Sequence, residues 1–201
     1  MTRSDTRRPR AGTAAWLALR ALTLLALALP TCAAAQWHDR QGQALPDSAE
    51  RGHDKAFAAA LQIADDADFS AFAQEWGQTE AAHAPNLRTI ARVQRGQLLR
   101  VALLYAGCAP SPNNGGACDA QMSLRVLGPD GSTTLQDPMR PLGMGGPPAA
   151  AGLLELAPLS VQLRFEDSDP LGTYTVQVTV NDPNQDAWVR LKAQVELVGD
   201  Q

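Results

Sequence analysis

Thr173-Tyr174-Thr175-Val176-Gln177-Val178-Thr179-Val180, a turn at Asp182-Pro183-Asn184, then Val189-Arg190-Leu191-Lys192-Ala193-Gln194-Val195-Glu196-Leu197 decide the fold class. In both runs apolar and polar residues alternate strictly, which places the apolar set on one side of a pleated strand and the polar set on the other. Proline and asparagine at the turn supply the fixed and the positive φ values that a chain reversal needs. Two such runs joined by so short a turn predict an antiparallel pair with one dry and one wet face.

The same period of two extends upstream. Val161, Leu163 and Phe165 alternate with Gln162 and Arg164, and Met122, Leu124 and Val126 begin another alternating strand. Leu98 to Tyr105 is apolar on both sides except at Arg100, the pattern of an interior strand covered on both faces. Turn chemistry separates the runs at Arg95-Gly96, Asn114-Gly115-Gly116, Pro129-Asp130-Gly131 and Asp169-Pro170-Leu171-Gly172. Short alternating strands without intervening helices predict a mainly β protein, an antiparallel sandwich. One short helix is expected near its start. Phe69, Phe72 and Trp76 recur at helical spacing behind Asp65, Asp66 and Asp68, which suit the positive end of a helix, and Gly77 would end it. The helix is expected to close one end or edge of the sandwich, and Phe57 to Ile63 reads as either a strand or a short helix. Gln136 to Gly152, with Pro138, Pro141, Pro147 and Pro148, reads as a long irregular connection.

The first 35 residues carry a different message. Arg3, Arg7, Arg8 and Arg10 precede an apolar stretch from Ala11 to Leu29, broken by Arg20, and the small run Ala33-Ala34-Ala35 follows Pro30. This basic, apolar, small order is that of a secretion signal, with cleavage expected after Ala35. Its uninterrupted apolar piece, Ala21 to Leu29, falls short of the roughly 20 residues that cross a bilayer, so no transmembrane span is expected in the mature form. The alternative is a lipoprotein anchored through Cys32. The domain reading is a cleavable signal over 1–35, a flexible leader over 36–54 and one sandwich domain over 55–201. A periplasmic or secreted location follows from it.

Charge and cysteine usage agree with export. The chain carries 17 Lys+Arg against 21 Asp+Glu; without the five arginines and one aspartate before residue 36, 12 face 20, a net of −8. Such an acidic protein disfavours nucleic acid as a partner. Beyond Cys32 the cysteines are Cys108 and Cys118, an even pair expected to form a disulfide at the neck of a hairpin loop.

At Tyr105-Ala-Gly-Cys108, Cys118-Asp119, Val126-Leu-Gly-Pro-Asp-Gly131 and Asp169-Pro-Leu-Gly-Thr-Tyr174, the chain resembles small bacterial exported proteins of unknown function with an immunoglobulin-like β-sandwich domain. Its turn motifs are also similar to macroglobulin-type extracellular modules. The likeness covers roughly residues 57–198. It implies an architecture and carries no catalytic residue with it.

No Gly-x-Ser-x-Gly, His-Glu-x-x-His or phosphate-binding glycine loop occurs, and no cofactor is expected. The three histidines, His38, His53 and His83, fall in polar segments before the sheet. Asp182, Asn184 and Asp186 offer the first three oxygens of a calcium loop, but Ala187 and Ala193 stand where its glycine and its bidentate glutamate belong. Glu166, Asp167 and Asp169 could only join them across the length of a strand. Met139 and Met144 could offer thioethers to Cu(I). Trp188 sits on the polar phase of its strand, either covered by the helix or part of an interaction patch with Met139 and Met144. These readings lead to a non-enzyme, an envelope-interaction module whose expected partner is another envelope protein. A calcium or copper carrier is the alternative, and a hydrolase on a sandwich scaffold ranks behind both.

Overall fold

Residues 37–38, 41–78, 85–143, 145–150, 152–158 and 160–199 are described by the structure, a computed structural model. The expected signal, Cys32, His83 and Met144 lie outside the described residues. Two strands, β1 (Trp37–His38) and β2 (Ala44–Leu45), pair as a small ribbon. They precede β3 (Arg51–Asp54), β4 (Phe57–Asp65), α1 (Asp66–Gln78), β5 (Arg92–Gln94), β6 (Leu98–Ala106), β7 (Gln121–Leu127) and β8 (Thr133–Pro141). The order closes with β9 (Glu155–Leu156), β10 (Val161–Arg164), β11 (Gly172–Asp182) and β12 (Ala187–Val198).

The alternating runs do what their period requires. One sheet has the order β10-β6-β4-β3, with β9 also on β6; the other runs β5-β12-β11-β7-β8. Every pairing is antiparallel except the three-residue pairing of β5 with β12, which is parallel. Phe57, Leu61 and Ile63 of β4 and Leu99, Leu103 and Tyr105 of β6 meet Val176 and Val178 of β11 and Val189 and Leu191 of β12 in one buried core. The protein is thus a mainly β sandwich whose sheets share their apolar faces.

A second apolar layer explains why β6 is greasy on both sides. Ala102 and Leu104, on its outward phase, pack with Ala64, Phe69, Phe72 and Leu87, while Ala60, Ala73 and Trp76 flank them. Alanines on the outer face of β4 and β6 let the helix approach closely. The helix therefore roofs the outer face of one sheet; it does not close an end or edge of the sandwich, and Trp188 on the other sheet is not beneath it. Asp65 caps its start by accepting the Ala67 N–H at 2.9 Å. Arg100, the one charge in β6, reaches Asp66 at 2.6 Å and Ser160 Oγ at 2.8 Å, and its guanidinium lies 5.4 Å from the Phe69 ring centre. Gly77 falls inside the last turn, one residue before the helix ends.

Three further expectations need correction. Residues 51–54, read as leader, form β3 on β4, and residues 49–54 seal the free side of β12: Lys192 N donates to Ala49 O at 2.6 Å and Trp188 N to Asp54 Oδ2 at 2.9 Å. Four polar residues are too few to display a period. Cys108 and Cys118 do pair, with Cα atoms 5.8 Å apart, but the loop they close joins β6 in one sheet to β7 in the other, so it is a crossover and not a hairpin. Finally, residues 136–141 are not irregular but the second half of β8. Pro138 and Pro141 are tolerated because β8 is an edge strand, and Pro138 sits where the ladder with β7 slips its register.

Candidate functional site

The register of β12, β11 and β7 assembles a broad outward face. Residues opposite one another across these strands form rows: Arg190 with Thr179 and Ser123, then Lys192 with Gln177 and Arg125, then Gln194 with Thr175 and Leu127. Trp188 begins this face, 43% exposed, and among the described residues no element roofs it as α1 roofs the other sheet. Arg125 spans two strands, its Nη2 and Nε donating to Gln177 Oε1 at 2.7 and 3.2 Å. Glu196, further along β12, is already paired with Arg92 at 3.0 Å. Among the described residues neither Arg190 nor Lys192 has a carboxylate within ion-pair distance.

Met139, 39% exposed on β8, lines a shallow depression at the border of this face with Arg125, Gln136, Gln177 and Thr179. Trp188 and Met139 therefore share one sheet, but β11 and β7 stand between their strands, a separation of about 14 Å at normal strand spacing. The two do not touch. The sequence marked them by their exposed apolar character and missed the cations that share the face, although Arg190, Lys192 and Arg125 occupy the outward phase of the alternation.

The carboxylates of the last turn serve the fold. Asp182 is buried, and its Oδ2 accepts the Ala109 N–H at 2.7 Å and Gln185 Nε2 at 2.6 Å, while Oδ1 accepts the Asn184 N–H at 3.1 Å. Gln185 also donates to Gly107 O at 2.8 Å. This turn thereby clamps the disulfide loop to the end of β11. Asp186 is paired with Lys55, whose Nζ also reaches the carbonyls of Gln185 and Asp186 at 2.6 Å. Asp169 stands at the other end of β11, where its carboxylate accepts the Glu166 N–H at 2.7 Å. The described residues contain no group of three or more His, Cys, Asp or Glu placed to hold a metal ion. His53 binds Asp47 at 2.9 Å, and His38 is exposed in β1.

Elsewhere, two further titratable groups are shifted by their surroundings. The nearby Ser111 hydroxyl, and then the Asn114 amide, which donates to Asp119 at 2.9 Å, hold the Asp119 carboxyl below the usual carboxylate range, although Ser111 Oγ itself has no hydrogen-bond partner among the described residues. The Tyr105 hydroxyl donates to Glu155 at 3.1 Å, and burial, with that carboxylate beside it, pushes the phenol up. Glu155 accepts the Ala149 N–H at 3.0 Å as well, so the connection after β8 is tied back onto β6.

No family model and no curated protein matches the chain. Solved structures with similar stretches include an alkylpurine DNA glycosylase from Pseudomonas fluorescens bound to DNA with an abasic site analog (17% identity, TM-score 0.34, 53% of this chain and 27% of that one). A family 123 glycoside hydrolase from Clostridium perfringens aligns at 8% identity and TM-score 0.38 over 71% of this chain and 27% of its own. A Niemann-Pick type C2 protein from Japanese carpenter ant aligns at 8% identity and TM-score 0.35 over 69% and 89%. The chain spans about a quarter of the length of the first two, and at these scores none of the likenesses bears on its function.

Proposed function

We propose that the chain is an exported immunoglobulin-like module that acts without catalysis, docking another envelope protein on the open face of its β12-β11-β7-β8 sheet. The observation that carries this reading is the asymmetry of the sandwich. One outer face is roofed by α1, whereas the other presents a half-exposed tryptophan beside unpaired cations. Tryptophan, arginine and methionine are the residue types enriched at protein interfaces. Four strands at normal spacing and about 25 Å of length give roughly 500 Å² of projected face, of the order of a small transient interface.

Strand order supports the immunoglobulin-like part. The order β12-β11-β7 matches the G-F-C order of such domains, β8 stands where variable-type domains add a further strand, and β6 and β10 occupy the positions of B and E in the opposite sheet. The Tyr174 hydroxyl donates to Pro170 O at 3.0 Å, four residues upstream, which is the tyrosine-corner contact of these sandwiches. Two features depart from antibody domains. The disulfide closes the crossover loop instead of joining the sheets, and Met122, Leu124 and Val126 fill the inward positions of β7 where a tryptophan would be expected. Export rests on the N-terminal signal pattern, and sequencing of mature protein that begins at Gln36 would support it.

Photo-crosslinking in exporting cells tests the docking face. A benzoylphenylalanine at position 188 or 190 is expected to trap a discrete protein, and one at exposed position 88, outside the face, is not. Equal trapping from all three positions, or none from 188 and 190, would refute the assignment.

A further inference from the structure

We infer that the docking face selects a partner protein that presents clustered carboxylates, an inference that rests on the docking reading above. The charge distribution carries it. The chain as a whole is acidic, at −4, and residues 36–201 sum to −8. Yet the outward positions of β7, β11 and β12 hold Arg125, Arg190, Lys192 and Glu196 as their charged residues, and Glu196 is neutralised by Arg92. Asp137 of β8, at the border of the face, is likewise neutralised by Arg140, so the face is a cationic island on an anionic body.

Lys192, Gln177 and Arg125 occupy a single row across three adjacent strands, with Arg190 two residues along β12. Lys192 and Arg125 are then about 10 Å apart at the backbone, and both are exposed. Long side chains on that spacing can converge on neighbouring carboxylates of one surface. A partner bearing such carboxylates is drawn in by this face and repelled by the remainder of the molecule, which fixes orientation as well as rate.

The edge next to the face excludes one mode of peptide capture. Pro138 and Pro141 lack N–H groups and the β8 ladder slips at Pro138, so an added strand could not pair regularly there. Contact is made through side chains on the face. Arginine, tryptophan and methionine favour a folded protein surface over an acidic polysaccharide or a polyphosphate.

Binding of poly-L-glutamate to the mature chain, measured by titration calorimetry, reads this directly, with polygalacturonate and polyphosphate as the competing anions. Poly-L-glutamate is expected to bind, and to weaken steeply between about 20 and about 300 mM salt as exposed charges are screened. The exposed pair Arg190→Glu/Lys192→Glu is expected to reduce that affinity at least about tenfold, while Arg88→Glu, off the face, changes it less than about twofold. Circular dichroism of the double variant should match the parent. Overturning results are equal binding by parent and double variant, no binding at low salt, or binding of polygalacturonate or polyphosphate alone. The crosslink at position 188 separates the two levels: if it persists in the double variant, the face docks a partner but not through carboxylates. If it never forms, the docking reading falls as well.

Discussion

Gly107 sits at the tightest point of the molecule. It adopts a φ of +70°, and a Cβ built on it would stand 1.8 Å from the carbonyl oxygen of Ala56. Both the backbone conformation and the close approach demand glycine. Gly107→Ala is expected to cost at least about 3 kcal/mol in urea unfolding, since the Gln185 side chain ties both backbones, donating to Gly107 O at 2.8 Å and accepting the Ala56 N–H at 3.3 Å. Asp66 makes a different kind of prediction. The hydrogen bond from Arg100 is the largest influence that lowers its pKa, so the folded state binds a proton less readily than the unfolded chain. Its contribution to stability is present above the ordinary carboxylate pKa and disappears as pH falls through the lowered value. Asp66→Asn should accordingly lower stability near neutral pH and flatten the loss of stability below about pH 4, read from urea midpoints at a series of pH values.

At the level of elements, the loop between β6 and β7 depends on its cross-link. Cys118 follows Cys108 by ten positions. Closing a loop of that size stabilises the fold by about 2–3 kcal/mol in the chain-entropy account. Cys108→Ala/Cys118→Ala is expected to unfold at lower urea by that amount and to keep the β signature in circular dichroism, because the Asp182 clamp holds the loop independently. Complete unfolding of the reduced protein would count against that division of labour. The sequence declared the strongly alternating elements, and β6 announced itself as interior through apolar residues on both phases. Other elements were hidden for separate reasons. Pro138 masked β8, since proline is compatible with a strand at an edge and the sequence does not say which strands are edges. The crossover was hidden because the length of a loop does not encode whether it returns to the same sheet.

For the whole molecule, the critical device is the protection of sheet edges. The first half of β12 is shielded by residues 49–54 and the end of the strand by β5. A chain trimmed to begin at Lys55 should therefore expose a hydrophobic-backed edge and form oligomers in size-exclusion chromatography, whereas one that begins at Gln36 stays in its ordinary peak. The sandwich itself was legible from alternation alone. The open face was legible only in part, because Trp188 stands out by type whereas Arg125, Arg190 and Lys192 look like ordinary solvated charges until the register aligns them. The covalent bridge across the crossover also sets a mechanical limit. Pulled by its two ends, the molecule can never pay out the nine residues locked between Cys108 and Cys118, so its fully extended length under force falls short by about 30 Å until a reductant releases them.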